Sequence, residues 1–285
     1  MQIHASTADL QQALSGLRQN KTVAFVPTMG NLHEGHLSLV RRAREEADIV
    51  IVSIFVNPLQ FGANEDLDKY PRTMAEDIEK LQQEQTDVLF TPGVEDIYPL
   101  GMENQTTVSV PKLGQFHCGD SRPGHFDGVT TVVNKLFNIV QPDIAIFGEK
   151  DFQQLAIIRK MVKDLCMPVT IIGSATGRAD DGLALSSRNQ YLTAQERKIA
   201  PLLNQVIIEA KKALEKGEKI AIIEQQSAQK LNNSGFNVDY FNIVDADTLD
   251  DVSTNSREIV ILAAAFLGSP RLIDNQTCPL NPNAI

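Results

Sequence analysis

The amino-acid sequence predicts an α/β protein. A doubly wound parallel sheet is expected over residues 1–176 and a smaller α+β domain over residues 177–285. Three observations carry this reading. Apolar segments of strand and helix length alternate from Val23 to Ile172. One of them, residues 49–56, is a continuous β-branched run of the kind a strand buried on both faces requires. After about residue 175 the alternation stops, and helical patterns are followed by strands.

Taken in order, residues 23–26 form an apolar strand that stops at Pro27, and a Gly-containing turn leads into a helix over 36–46. Residues 49–56 are the buried central strand. A helix over 73–83 sets Met74, Ile78 and Leu81 on one side, and a short strand covers 87–90. Residues 128–140 have helical spacing and 144–147 form another buried strand. A helix over 151–165 aligns Leu155, Ile158 and Val162, and 169–172 is a further strand. Right-handed crossovers would then place the loops after Val26, Val56 and Phe147 beyond the carboxyl ends of the strands, where such sheets bind ligands. Residues 193–216 read as one long helix, opened by Thr193 and Glu196 as a capping box and stopped at Gly217. A helix over 221–232 and strands over 238–244, 258–266 and 271–275 complete the second domain. The boundary falls within 174–182.

Composition narrows the function classes. The chain has 285 residues and a formal net charge of −10, with no block of Lys and Arg. Arg41, Arg42 and Arg44 are followed at once by Glu45 and Glu46, which reads as a solvated helix face. A nucleic-acid partner is therefore not expected. Cys118, Cys166 and Cys278 form no CxxC pair, which suits a reducing compartment. No apolar run is long enough to span a membrane, and no signal segment opens the chain. A cytoplasmic protein is expected.

The loop over 27–36 reads Pro-Thr-Met-Gly-Asn-Leu-His-Glu-Gly-His. It sets His33 and His36 at a helix start, where exposed N–H groups and the helix dipole favour an anion, with phosphate the natural choice. Gly30 and Gly35 have P-loop spacing, but His36 and Leu37 stand where that motif needs Lys and a hydroxyl residue. A zinc pair lacks a third ligand nearby. In isolation the two could be ordinary loop histidines. With the preceding strand, the His-x-Gly-His order resembles the HIGH signature of the nucleotidyltransferase superfamily, in which the histidines meet ATP phosphates.

Other segments add chemistry. Ser186, Ser187 and Arg188 put two hydroxyls beside a guanidinium, either a polar linker or a phosphate clamp. Their position after the first domain resembles the KMSKS loop of the same superfamily, with Arg188 in place of the lysines. Lys150, after strand 144–147, is either a surface lysine at a helix start or a cation aimed at the cleft. Gln153 and Gln154 follow it and cannot both face one way. Asn57 and Gln60 supply amides at a strand end, suited to hydroxyl and carboxylate partners. Residues 62–70 form an acidic loop that could act as a lid, and residues 122–126 a rigid turn carrying Arg122 and His125.

Together these segments resemble the pantoate–β-alanine ligase (pantothenate synthetase) family. The resemblance runs in order through residues 27–36, Val-Asn-Pro-Leu-Gln-Phe (56–61), Asp-Leu-Asp-Lys-Tyr-Pro-Arg-Thr (66–73), Arg-Pro-Gly-His-Phe-Asp-Gly-Val (122–129), Phe-Gly-Glu-Lys-Asp-Phe-Gln-Gln (147–154) and Asp-Gly-Leu-Ala-Leu-Ser-Ser-Arg-Asn (181–189). It implies a Rossmann-like nucleotidyltransferase domain and a lid domain. It also implies a two-step reaction: ATP and pantoate give pantoyl adenylate and pyrophosphate, and β-alanine then displaces AMP to give pantothenate. Mg²⁺ would accompany ATP, and the enzyme would be a homodimer. The ATP site would comprise Met29, Gly30, Asn31, Leu32, His33, Glu34, Gly35 and His36, with Gly148, Glu149, Lys150, Asp151, Gly177, Leu185, Ser186, Ser187 and Arg188. His36, His33, Lys150 and Arg188 would be catalytic, acting on the phosphates. Gln60 and Gln154 would hold pantoate, with Asn57, Tyr70 and Arg122 as further substrate contacts. No direct protein ligand of the metal is implied. Gly177 departs from a common Val beside the adenine, and Cys118 from a common Glu.

A cytidylyltransferase-like enzyme making a stable nucleotide product would leave the Gln60 and Gln154 segments unexplained. A silent nucleotide-binding regulator would be expected to have lost His36, Lys150 or Arg188.

Overall fold

The computed structural model describes residues 1–62 and 67–285. Part of the lid expected over 62–70, residues 63–66, lies outside the described residues. The chain divides into two compact units, Met1–Glu149 with Gln154–Ala175, and Lys150–Gln153 with Thr176–Ile285.

The first unit is a parallel α/β sheet, the fold class the sequence predicts. Its strands are β1 (Gln2–His4), β2 (Val23–Thr28), β3 (Ile49–Ile54), β4 (Val88–Phe90), β5 (Ile144–Gly148) and β6 (Thr170–Ser174), in the order β1-β4-β3-β2-β5-β6. Every pairing among them is parallel. The helices are α1 (Thr7–Leu17), α2 (Glu34–Glu46), α3 (Met74–Gln83), the short α4 (Val94–Ile97) and α5 (Cys118–Ser121), α6 (His125–Val140) and, from Gln154 onward, α7 (Phe152–Asp164). All six residues of β3 are buried, as its apolar run demands. Leu39, Val40 and Ala43 form one face of α2 and pack on Val26, Val50, Val52 and Ile146 of the sheet.

Strand order reverses between β2 and β5, so the segments leaving those strands diverge there and open a crevice. Pro27 does not end β2, contrary to the sequence reading: Pro27 pairs with Ser53 and Thr28 with Ile54. Its missing N–H is tolerated because the ladder to β5 has already ended, at Phe25 with Ala145. Sequence reading passed over β1 and α1. Gln2 and Ile3 of β1 are exposed, and α1 buries only Leu10 and Leu14, so neither carries a strong periodic signal.

The second unit holds α8 (Ala194–Ile199), α9 (Leu202–Glu215), α10 (Ile220–Asn233) and an antiparallel sheet β7-β8-β9. Its strands are β7 (Asn237–Asp245), β8 (Glu258–Phe266) and β9 (Arg271–Pro279). Leu203, Val206, Ile207 and Ala210 share a core with Ile259, Ile261 and Ala263. The single helix expected over 193–216 is two helices. Pro201 has no N–H to donate back to residue 197 and instead stands at the N-cap of α9. The capping box is present as read: the Thr193 hydroxyl accepts from the Glu196 N–H at 3.2 Å, and the Glu196 carboxylate accepts from the Thr193 N–H at 2.8 Å. β9 continues past Asn275 to Pro279 because each of its polar residues still pairs with the apolar β8.

Candidate active site

The loop between β2 and α2 is shaped from outside itself. Gly30 (φ +81°) and Asn31 (φ +50°) are consecutive left-handed residues. A Cβ on Gly30 would also stand 3.0 Å from Ile54 Cγ2. Asp77 of α3, only 1% exposed, accepts from the Leu32 N–H at 2.7 Å and the Asn31 N–H at 2.9 Å. The Thr73 hydroxyl adds a third donor at 3.1 Å, and Lys80 donates to the Leu32 carbonyl at 2.7 Å. A buried carboxylate needs such donors, and here they are the backbone of the loop itself. Nothing in the sequence around Asp77 signals this, because its partners are main-chain groups some 45 positions away.

His33 and His36 cap α2 with their own rings. His33 Nδ1 accepts from the Gly35 N–H at 3.1 Å, and His36 Nδ1 accepts from the His33 N–H at 3.3 Å, a capping box made of two imidazoles. The rings lie 4.0 Å apart at 33°. This corrects the reason given for anion binding. The N–H groups of Asn31, Leu32, His33, Gly35 and His36 are all engaged within the protein. These five amides thus form no cradle for an anion. Because each Nδ1 is an acceptor, the neutral rings carry their protons on Nε2, and it is Nε2–H that an incoming phosphate would meet. Of the other residues in the stretch, Leu32 is 2% exposed and turns its side chain into the core, so it contributes loop shape. Glu34 pairs with Arg41 on the surface.

A second network follows β3. Asn57 caps a 3-10 turn, Pro58–Gln60, by accepting from the Leu59 N–H at 3.3 Å. The hydroxyl of Tyr98 donates to the same Asn57 Oδ1 at 2.7 Å. Asn57 Nδ2 donates to Gln60 Oε1 and to the Gly128 carbonyl, each at 3.1 Å. Gln60 Nε2 then lies 3.1 Å from Met29 Sδ, which joins a residue of the β2–α2 loop to one after β3. His125 Nδ1 donates to the Gln60 carbonyl at 2.7 Å, and Arg122 reaches His125 Nε2 at 3.0 Å. Asn57 and Gln60, picked out on one segment of the sequence, and Arg122, picked out on another, are therefore one assembly. Tyr70 is buried with its ring edge-on to Phe61 at 5.8 Å. Gln154 sits half-buried in the first turn of α7 while Gln153 is buried, and among the described residues no hydrogen bond ties Gln154 to Gln60.

Burial raises the Tyr98 hydroxyl well above the ordinary tyrosine range, so it stays a donor. Gly128 is there for space: a Cβ on it would overlap the Leu59 carbonyl and come within 2.7 Å of the Gln60 nitrogen. Gly128→Ala is expected to cost about 1–3 kcal/mol, as overpacking does, because backbone must move. Thermal denaturation checks this. An unchanged midpoint would mean that the approach of α6 to the turn constrains nothing.

In the second unit, Lys150 has its carbonyl held by Asn275 Nδ2 of β9 at 2.8 Å, and its ammonium lies 3.7 Å from the Asp151 carboxylate. The neighbouring Gly148 ends β5, Glu149 opens the 3-10 turn that follows it, and both belong to the first unit. The Gly177 carbonyl accepts from the Leu185 N–H at 2.9 Å, which brings those two residues together at the neck of a small loop. Arg178 within that loop makes a two-pronged pair with buried Asp274, at 2.7 and 2.9 Å. Arg197 beside Asp181 holds that carboxyl below its usual range. Ser186 caps the 3-10 turn Ser187–Tyr191 by accepting from the Arg188 N–H at 3.2 Å. Adjacent residues of β9, Asp274 and Asn275, thus anchor both cation-bearing segments, a link invisible before the strand was placed.

Known proteins match this chain throughout. The family model described as pantoate-beta-alanine ligase matches residues 2–277. A pantothenate synthetase of Marinobacter nauticus is 58% identical over 272 residues, 95% of this chain and 96% of its own length. That of Hahella chejuensis is 56% identical over 94% of this chain and 95% of its own length. Among solved structures, pantothenate synthetase from Thermus thermophilus superposes with a TM-score of 0.91 at 44% identity, covering 97% of this chain and 99% of that one. Pantoate-beta-alanine ligase from Francisella tularensis, complexed with beta-gamma ATP and beta-alanine, has a TM-score of 0.82 at 36% identity and covers 97% of both chains. With its parallel sheet, its imidazole-capped helix and a match along nearly its whole length, this chain belongs to the pantoate–β-alanine ligase family.

Proposed function

We propose that this chain condenses pantoate with β-alanine at the expense of ATP, through a pantoyl adenylate, and releases AMP and pyrophosphate. The observation that carries the reading is the imidazole pair at the start of α2, whose Nδ1 atoms are both engaged so that Nε2 carries the donor proton. Attack of the pantoate carboxylate on the α-phosphate builds negative charge on phosphate oxygens. No protein nucleophile is required, and fixed donors do most of the work.

In this reading His33 and His36 donate to the phosphates, and Lys150 and Arg188 neutralise the leaving pyrophosphate. Met29–His36, Gly148–Asp151, Gly177 and 185–188 form the ATP site. Gln60 and Gln154 bind pantoate, assisted by Asn57, Tyr70 and Arg122. Residues 1–176 act as the domain binding ATP and pantoate, and 177–285 act as a lid that keeps water from the adenylate. Magnesium enters as part of MgATP. Among the described residues no cluster of three or more His, Cys, Asp or Glu could hold it. An ion carried by phosphate oxygens and water fits the chemistry of that metal. Among the described residues no helix is long and apolar enough to cross a membrane. A cytoplasmic homodimer is part of the proposal.

The test is pantoate-dependent release of pyrophosphate from ATP, followed by AMP and amide formation on adding β-alanine. Turnover that ignores pantoate would overturn the reading. Gln60→Ala and Gln154→Ala are each expected to weaken pantoate use by about 1–3 kcal/mol, the cost of an unmet buried polar group. ATP binding without pantoate should barely change. Unaltered pantoate kinetics in both variants would leave only the nucleotide half of the assignment standing.

A further inference from the structure

The hydrogen bonds around Gln60 run in one direction. The hydroxyl of Tyr98 donates to Asn57 Oδ1, and Asn57 Nδ2 donates to Gln60 Oε1. The sense of the Asn57 amide is fixed twice over by the main chain. Its oxygen accepts the Leu59 N–H and its nitrogen serves the Gly128 carbonyl. With Oε1 taken, Gln60 turns Nε2 toward Met29 Sδ, a weak acceptor that leaves most of its donor capacity for something better. The Gln60 main chain is pinned separately by His125. Tyr98 is 2% exposed, with its ring 6.3 Å from Phe55 and Lys135 over its face at 5.2 Å.

We propose that Tyr98 is a positioning residue for substrate selection: through Asn57 it holds Gln60 so that the pocket offers an N–H donor, and so selects a ligand carrying a carboxylate or hydroxyl oxygen at that point. Tyr98 touches no substrate. Its hydroxyl is the inner end of a relay whose outer end is Gln60 Nε2. Because Tyr98 lies in no segment that the sequence singled out, only the fold connects it to the site. The proposal rests on the pantoate-binding role given to Gln60 above.

The test is a double-mutant cycle read on pantoate. Tyr98→Phe keeps the ring and removes only the donor. It should raise the KM for pantoate about three- to tenfold, the span of one net hydrogen bond. At saturating pantoate kcat should stay within about twofold, as should the KM for ATP, the pattern left when only ground-state binding is lost. In a Gln60→Ala background the same substitution should add nothing, since its route to the substrate is gone. Asn57→Ala, which cuts the relay in the middle and also removes a residue given a pantoate contact of its own, should raise the KM for pantoate in the otherwise unmutated protein at least as much as Tyr98→Phe does. It stands in for Tyr98→Phe if the latter does not fold. Additive effects of Tyr98→Phe and Gln60→Ala, or a lowered melting temperature with an unmoved pantoate KM, would overturn the proposal. Absence of any pantoate-dependent turnover in the unmutated protein would instead fault the assignment of the reaction.

Discussion

His36→Ala is expected to slow formation of the adenylate by about a hundredfold or more, the size of one lost transition-state donor. Two effects combine. The substitution removes the Nε2–H that would meet the phosphate as charge builds on it. It also removes the Nδ1 acceptor of the His33 N–H, which leaves the first turn of α2 short of one cap and lets His33 shift. ATP affinity should change less, because Asp77 and Lys80 continue to hold Asn31 and Leu32 in place. Pre-steady-state release of pyrophosphate separates the two quantities. A near-normal rate would remove His36 from the chemistry. His36→Asn, which keeps a short acceptor for the cap but lacks Nε2, should recover stability without recovering the rate.

Lys150→Ala and Arg188→Ala should each lose about 10²–10³ in the first half-reaction, the usual loss for a fixed donor to developing charge. Both cations lie on segments braced from within the second unit: Lys150 through Asn275, and Arg188 through the cap from Ser186. If their partner is the departing pyrophosphate, supplying pantoyl adenylate should restore most of the second half-reaction, because no pyrophosphate then leaves. Equal failure with and without supplied adenylate would point to misfolding or another role. Lys150→Arg should recover little, because a planar guanidinium does not replace a point charge on a shorter reach.

Much of this molecule was legible in its sequence. The run over 49–56 could only be a buried strand, and its neighbours followed from the alternation of apolar periods. Local chemistry was equally readable where it is local. The box of Thr193 and Glu196 is an example, as is the placing of two histidines at a helix start. Both depend on residues three apart on one turn. Errors arose where one residue outweighs a pattern. Pro201 broke a helix whose periodicity ran straight through it, and Pro27 was accepted in a strand because its outer neighbour had already departed.

The tertiary structure decided everything that depends on long-range pairing. The sequence alone suggested an anion at exposed amides. Only the folded chain brings Asp77 and the two imidazoles onto those amides, so that in the proposed reading the donor role falls to Nε2. The sequence offered Asn57 and Gln60 on one segment and Arg122 on another, with nothing to join the two. Only the approach of α6 through Gly128, and of Tyr98 from beyond β4, makes them one hydrogen-bonded assembly. The physical reason is that periodicity and capping are encoded within a few residues of one another. A buried polar group instead takes whichever partner the fold delivers, and that partner is most often main chain, which carries no mark in the sequence.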